Sequence, residues 1–337
     1  MRKFFLFVGL VMASVSAQAQ DPHFSQFFAS PLTLNPALTG KFDGILRVAG
    51  NYRNQWPTIN TAFRTGTASA DFGILRNKIP EYDQFGFGVM GMYDMNASGI
   101  MKNNYISASL AYHKALDPDG FHTLGAGFSG TYAQRKLDIS KLDFEDELTS
   151  LGFTGVTSEF AANTGFLNIN YFDVNAGFIY NGSSTEYNNF YIGGSIYHIN
   201  RPKVSFRGAD FVLNPRYTIH GGGYFPVADA TTLFVSAIHQ RQAGASETVL
   251  GAALGFTVNG DFDNPVDVYA GSWVRLKDAV IPYVGLEFGS YRLGISYDVN
   301  TSKLAAASRR QGGMEISLIY IQKRSDPNKK KLNCPRF

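Results

Sequence analysis

Apolar and polar residues alternate position by position in one segment after another along this chain. In the segment 105–114, for example, Ile106, Ala108, Leu110 and Tyr112 share one face, whereas Tyr105, Ser107, Ser109 and His113 share the other. A period of two is typical of β-strands, whose successive side chains point to opposite faces. We count about 14 such segments, most of them ten residues or longer, whereas strands of soluble proteins average five or six residues. A tilted membrane strand needs about 9–11 residues. The pattern therefore predicts an all-β fold, a transmembrane antiparallel β-barrel of about 14 strands.

The lengths of the connections alternate as well. Long connections lie at 96–104, 135–165, 200–214 and 300–312, and short turns lie between them at 117–120, 181–186, 226–229 and 289–290. Bacterial outer-membrane barrels have long external loops and short periplasmic turns. This alternation predicts that both termini are periplasmic. The short link 277–279 and the longer segment 75–83 are exceptions to it.

The composition agrees with a barrel and disfavours a nucleic-acid partner. Charged residues make up 17% of the chain, below the roughly 25% of an average soluble domain, and aromatic residues make up 14%. The formal net charge is +3, and loss of Arg2 and Lys3 with a signal peptide leaves +3 − 2 = +1. A nucleic-acid-binding protein would need a basic face or stripe. A Gly-rich soluble β-sandwich remains an alternative on composition alone.

The N-terminus has the three parts of a secretory signal peptide. Arg2 and Lys3 precede an apolar run from Phe4 to Val15, and Ala17-Gln18-Ala19 forms a cleavage site. The apolar run is shorter than the about 20 residues of a membrane helix. We therefore predict a signal peptide at 1–19, a periplasmic pre-barrel or mouth-capping segment at 20–43, an outer-membrane β-barrel at 44–323, and a basic periplasmic tail at 324–337.

Two stretches of the mature chain carry a family resemblance. The first reads Gln20-Asp21-Pro22-His23-Phe24-Ser25-Gln26 and continues to Asn35-Pro36-Ala37-Leu38-Thr39-Gly40, and the second reads Asn51-Tyr52-Arg53-Asn54-Gln55-Trp56. The tail Lys331-Leu332-Asn333-Cys334-Pro335-Arg336-Phe337 adds to them. Together they resemble the PorP/SprF family of Bacteroidota.

The resemblance implies a non-enzymatic outer-membrane component of type IX secretion and gliding machinery. Its expected partner is a large surface adhesin or other cargo, bound through the cargo's C-terminal domain, whose export or surface attachment it supports. Periplasmic ring or peptidoglycan-linked components and outer-membrane lipid are further expected partners, and no cofactor, metal or catalytic residue is implied. The candidate partner-binding residues are Phe24, Phe27, Phe28, Asn35, Pro36, Arg47, Arg53, Arg216, Lys330, Lys331, Cys334, Pro335, Arg336 and Phe337.

Each candidate group also has a purely structural interpretation. The apolar residues of 21–42 would pack into the barrel or close its mouth, and the basic tail would be a solvated end. The polar face carries residues that would contact cargo or pair across the interior: Arg47, Asn51, Arg53, Arg64, His113, Asp173, Arg216 and His220. The acidic loop 136–163 would bind an adhesin or be solvated, and its carboxylates lack the spacing of an EF-hand calcium loop.

Three functions compete at this stage. A secretion partner acts by binding and shows little solute flux, whereas a diffusion channel or transporter for small solutes has an open constriction. A barrel-embedded hydrolase would depend on a single Ser, Asp or His, but the sequence carries no G-x-S-x-G, H-E-x-x-H or P-loop motif. The N-terminal and C-terminal motifs favour the secretion partner.

Overall fold

Fourteen long strands, separated by loops and turns, make up most of this chain. A computed structural model describes residues 21–59, 62–75, 78–160, 165–185, 187–206, 211–259 and 266–323. The strands of the barrel are β1 (Leu46–Gln55), β2 (Phe63–Ile74), β3 (Gln84–Asn96), β4 (Met101–Ala115), β5 (Thr123–Asp138), β8 (Phe166–Gly182), β9 (Asn189–Tyr197), β10 (Arg216–Ala228), β11 (Thr231–Gln242), β12 (Ala245–Asn259), β13 (Val266–Arg275), β14 (Ala279–Phe288), β15 (Tyr291–Asn300) and β16 (Gln311–Gln322). Two short strands, β6 (Leu148–Thr149) and β7 (Gly152–Phe153), form a separate hairpin in the longest loop.

The fourteen strands close into one antiparallel barrel, as the alternation predicts. Every strand pairs with its neighbours in the chain, β5 pairs with β8, and β1 pairs with β16 to close the ring. At this seam Leu46 faces Gln322 and Gln55 faces Gly313 without a break in register. Closure satisfies the backbone hydrogen bonds of every strand and leaves no open edge, which a membrane-spanning sheet requires.

The alternation also predicts correctly which face of most strands points outward. Ile106, Leu110 and Phe128 are exposed, whereas the positions beside them, such as Ser107 and Ser129, are buried in the barrel. Arg64 contradicts the prediction that it faces the interior. Its side chain is exposed. The buried positions of β2 are odd-numbered, namely Thr65, Thr67 and Asp71, so the even-numbered position 64 lies on the outward face.

The two ends of the barrel differ in their connections. One end, here called the loop end, carries the connections 139–165, 198–215 and 301–310, and the last of these contains a short helix, α2 (Ala305–Ser308). The other end, here called the turn end, carries 116–122, 183–188, 229–230 and 289–290. Among the described residues, none of the helices has the length and apolar character needed to cross a membrane.

Residues 21–45, here called the strap, run through the inside of the barrel. Asp21 contacts Gln242 and His198 at the loop end, and Ile45 donates a backbone hydrogen bond to Gln322 at the turn end. Between these points the strap folds into the 3-10 turn Phe27–Ala29, the helix α1 (Pro31–Leu34) and the 3-10 turn Pro36–Leu38. Pro31 and Pro36 each occupy a first helical position, where the missing N–H costs nothing.

Glycines of the wall allow the strap to pass close to the strands. A β-carbon added at Gly127 in β5 would lie 2.5 Å from the carbonyl oxygen of Pro36 and 2.6 Å from the amide nitrogen of Ala37. One added at Gly86 in β3 would lie 2.7 Å from the carbonyl carbon of Thr39. Backbone therefore crosses backbone at these two positions, where only glycine leaves enough space.

We predict that Gly127→Ala destabilises the protein by about 1–3 kcal/mol, because its methyl group must push the strap away from β5. The measurement is thermal unfolding of the detergent-solubilised barrel. Gly91→Ala is the matched control, since a β-carbon at Gly91 meets nothing within 4 Å and points outward. Equal effects of the two substitutions would contradict the crossing.

Candidate functional site

Aromatic side chains of the strap pack against one side of the lumen wall. Phe28 lies with its ring centroid 4.9 Å from that of Trp273 in β13 and 5.6 Å from that of Tyr283 in β14. Phe27 and Leu34 join the same buried cluster, which also contains Phe234 and Tyr269. Burial of aromatic surface and edge-to-face contacts both stabilise such packing. The wall of β11–β14 is therefore largely apolar toward the lumen.

A buried carboxylate holds the first turn of the strap. Glu315 in β16 accepts hydrogen bonds from the backbone N–H groups of Ser25 at 2.6 Å and Gln26 at 2.8 Å. The same carboxylate lies 3.2 Å from the guanidinium of Arg53 in β1, which also donates to the carbonyl oxygen of His23. The side chains of Glu315 and Arg53 are almost fully buried. Their contacts with each other and with the strap therefore replace the hydrogen bonds that water would otherwise provide.

The charges around Glu315 extend across four further wall positions. Asp298 in β15 pairs with Arg53 at 3.1 Å and with Arg275 at 2.9 Å, and it accepts a hydrogen bond from the Ser25 hydroxyl. Arg275 also lies 3.1 Å from Glu247, which pairs with His23 of the strap at 2.9 Å. We call Arg53, Glu247, Arg275, Asp298 and Glu315 the clamp. It joins β1, β12, β13, β15 and β16 to the strap.

A second group of charges holds the beginning of the strap at the loop end. The carboxylate of Asp21 lies 2.6 Å from Nε2 of His198 and 3.4 Å from Arg216, and Nδ1 of His198 lies 2.9 Å from Asp173. Burial alone would lower the pKa of His198, but the carboxylates of Asp21 and Asp173 more than offset this and raise its pKa to about 9. His198 is thus held as an imidazolium between two carboxylates.

Asn35 fixes the middle of the strap. Its side chain is fully buried and donates to the carbonyl oxygens of Phe178 at 2.9 Å and Gly194 at 3.2 Å, with Nε2 of His220 at 2.9 Å. Its side-chain oxygen accepts from the N–H of Ala37 and so caps the following turn. One amide group therefore links the strap to three strands, β8, β9 and β10.

The turn end of the strap is fixed by an ion pair. Arg47 in β1 meets Asp71 in β2 through two hydrogen bonds of 2.9 and 2.8 Å, the bidentate geometry that strengthens such pairs. Arg47 also donates to the carbonyl oxygen of Leu38, and Asp71 accepts from the N–H of Gly40 at 2.7 Å. The Arg47–Asp71 pair therefore holds the strap by the strap's own backbone groups.

A small cavity of about 50 Å³ remains between the strap and the wall. Leu32, Met90, Met92, Tyr105 and Tyr171 supply its apolar lining, and the Asp21–His198 pair lies at one side. Within the described part of the chain, no group of three or more His, Cys, Asp or Glu side chains is arranged to hold a metal ion.

Sequence comparison assigns the chain to a family. The sequence model of the type IX secretion system membrane protein PorP/SprF matches residues 16–320. The chain belongs to the PorP/SprF family. A search of curated proteins finds no match to it. The family and the barrel together show an outer-membrane β-barrel of the type IX secretion system.

Three solved structures that match this chain are distant from it in sequence. The toluene transporter TodX of Pseudomonas putida is 11% identical, with 90% of this chain and 98% of that chain covered and a TM-score of 0.49. A FadL homologue of Pseudomonas aeruginosa is 12% identical, with 91% and 95% covered and a TM-score of 0.45. BamA of Haemophilus ducreyi lacking POTRA domains 1–3 is 10% identical, with 82% and 70% covered and a TM-score of 0.43. At this distance the likeness carries no argument about function.

The candidate residues of the PorP/SprF chain fall into three groups. Phe24, Phe27, Phe28, Asn35 and Pro36 belong to the strap, and all but Phe28 are buried. Arg47, Arg53 and Arg216 lie on the lumen wall and each bonds the strap. Lys330, Lys331, Cys334, Pro335, Arg336 and Phe337 lie outside the described residues, as does the predicted signal peptide. Binding of a partner by any of these residues stays a prediction.

Sequence reasoning missed the acidic half of the clamp and the aromatic wall. Asp298, Glu315 and Trp273 each occupy a buried position on a strand that the alternation identified. An isolated carboxylate on the buried face of a predicted strand was the available signal, because such a group needs a buried partner. Each of these carboxylates meets a wall arginine as well as the strap, so this signal indicated a buried partner but not the segment that supplies it.

We predict that His198→Gln weakens the protein most at pH 6.5 and below, and has little effect above pH 9. A raised folded-state pKa gives stability that is complete below the unfolded value of 6.5 and is lost as the pH rises through about 9. The difference is on the order of 3 kcal/mol, the gap between those two pKa values expressed as free energy. Thermal unfolding of both proteins from pH 6 to pH 10 measures it. A pH-independent difference would contradict the imidazolium between Asp21 and Asp173.

Proposed function

We propose that this PorP/SprF barrel acts by binding a protein cargo, through the cargo's C-terminal domain, and supports its export or its attachment to the cell surface. The cargo class follows from the family, whose members belong to the type IX secretion system. A large surface adhesin is the cargo we expect. We further propose that the protein catalyses no reaction and needs no cofactor, because its buried ionisable groups bond the strap instead of lining an open cleft.

The observation that carries the proposal is the strap inside the lumen. A diffusion channel needs a continuous water-filled path, whereas this lumen holds 25 residues of its own chain from one end to the other. The aromatic cluster, the clamp and the Arg47–Asp71 pair hold that segment at successive heights. We therefore expect this protein to act through its surfaces and not by passive diffusion of solutes.

The proposal includes an orientation. The short turns of bacterial barrels face the periplasm and the long loops face outward. We therefore place the turn end in the periplasm, with the basic tail as a docking peptide for ring or peptidoglycan-linked components. The loop end then faces the cell surface, and the strap begins there and ends at the periplasmic side. In this orientation residues 21–43 lie inside the barrel and begin at its outer end, contrary to the expectation of a periplasmic pre-barrel segment, and only the end of β16 agrees with the expectation of two periplasmic termini.

The surface that best suits a cargo domain is the loop between β5 and β8. Leu148, Leu151, Phe153 and Val156 are all more than half exposed, and the side chain of Leu151 is 98% exposed. These residues lie in the β6–β7 hairpin and beside it, outside the fourteen strands of the barrel. Asp146 holds the base of this loop through hydrogen bonds from Thr157 and Ser158. Exposed apolar side chains on a held loop are typical of protein interaction sites.

The first test of the proposal is affinity purification of the tagged protein from detergent-solubilised outer membranes of its own cell. We expect a large surface protein to copurify through its C-terminal domain, and planar-bilayer recordings of the same preparation to show little ion conductance. Recovery of the barrel alone, together with stable conductance, would instead identify a channel.

Substitutions in the loop give a sharper version of this test. We predict that Leu151→Asp with Val156→Asp lowers recovery of the cargo at least tenfold and leaves the thermal stability of the barrel unchanged, because both side chains are exposed. Leu116→Asp with Tyr187→Asp is the matched control, since these exposed residues lie in connections at the turn end. Equal loss of cargo in both variants would place the contact elsewhere.

A further inference from the structure

The lumen wall recognises the strap largely through the strap's main chain. Among the described residues, at least ten hydrogen bonds join wall side chains to backbone groups of the strap. Arg53, Tyr197 and Arg216 donate to the carbonyl oxygens of His23, Leu32 and Thr33, respectively. Ser195 and Arg47 donate to those of Leu34 and Leu38, and His113 lies against that of Thr39. In the other direction, Gln242 accepts a hydrogen bond from the N–H group of Asp21, and Asp71 accepts one from that of Gly40. Glu315 accepts from the N–H groups of both Ser25 and Gln26.

The chemistry of these contacts matches the group that each one meets. Guanidinium and hydroxyl groups face carbonyl oxygens, and carboxylate or amide oxygens face N–H groups. Hydrogen bonds in which one partner is charged are stronger than neutral ones, and most of these involve Arg, Asp or Glu. Because every peptide carries the same main-chain groups, this part of the recognition does not depend on the side chains of the bound segment.

Two buried amide side chains set the register of the segment. The Nε2 group of Gln26 donates to Ser296 at 3.0 Å and to the carbonyl oxygen of Glu315 at 3.1 Å, and its oxygen accepts from Ser317 at 2.7 Å. Asn35 makes the three contacts to β8, β9 and β10 described above. Main-chain hydrogen bonds combined with a few side-chain pockets are a recurring mode of peptide recognition by proteins.

We propose that the lumen is a peptide-binding site, which reads the main chain of a segment folded into short helical turns and selects Gln and Asn at two positions. Residues 21–45 occupy this site within the same chain. The site holds a peptide of this sequence after the covalent link to β1 is cut, and it accepts the same peptide from solution. This inference concerns the lumen alone and does not depend on which cargo, if any, binds the loop end.

The test begins with the full chain carrying a protease recognition sequence between Asp43 and Gly44. The protein is folded with its strap intact, solubilised, and cleaved. We expect the cleaved strap to stay with the barrel through size-exclusion chromatography. A fluorescent peptide of residues 21–43 should then exchange into the cleaved barrel. The same peptide with Gln26→Glu and Asn35→Asp should compete at least tenfold less well, because its carboxylates cannot donate to Ser296 and Phe178.

Loss of the cleaved strap from a barrel that stays folded would overturn the proposal. Equal competition by a scrambled peptide would overturn it too. If the insertion itself prevents folding, hydrogen exchange on the unmodified protein decides the point. The amides of Ser25, Gln26 and Gly40 should be protected as strongly as those of the strands, and exchange at the rate of a free peptide would refute a lumen that binds the main chain.

Discussion

The bond between the Glu315 carboxylate and the backbone N–H groups of Ser25 and Gln26 is the interaction on which the rest of the structure depends. Glu315 lies on the last strand, beside the seam that β16 forms with β1, and it also meets Arg53 across that seam. A buried carboxylate without such partners would be strongly destabilising. The strap and the closing seam of the barrel therefore stabilise each other.

The same reasoning explains why barrel and strap act as one body. The apolar wall of β11–β14 needs the aromatic side chains of the strap, and the polar wall of β1, β2 and β16 needs its backbone groups. A barrel of fourteen strands is too wide for its own side chains to fill. The side chains and backbone of the strap occupy the space that the wall side chains leave in the lumen. A partner can therefore reach the loop end, the turn end and the lipid-facing wall.

Much of the fold follows from the sequence because the alternation has a single physical cause, a sheet with lipid on one face. The faces of β4 and β8 follow from it directly, and so does the count of fourteen strands. The prediction for Arg64 was wrong because one polar residue near a strand end can face either way. The path of the strap could not be predicted, since its apolar residues suit a cap as well as a plug. The strap partners of Glu315 and Asp298 lie about 290 and 270 positions away in the chain, a distance over which a local pattern carries no information.

An engineered disulfide between strap and wall tests most directly whether the strap occupies the lumen. The hydroxyl groups of Thr39 and Ser109 lie 2.9 Å apart inside the lumen. In a chain whose single cysteine is removed by Cys334→Ser, Thr39→Cys with Ser109→Cys should crosslink under mild oxidation, because the cysteine sulfurs would replace two hydroxyl oxygens that are already in hydrogen-bond contact. Thr39→Cys with Ile106→Cys should not, since Ile106 points outward. Crosslinking of the first pair alone is the predicted result. A first pair that stays reduced in the folded barrel would mean that the strap does not occupy the lumen.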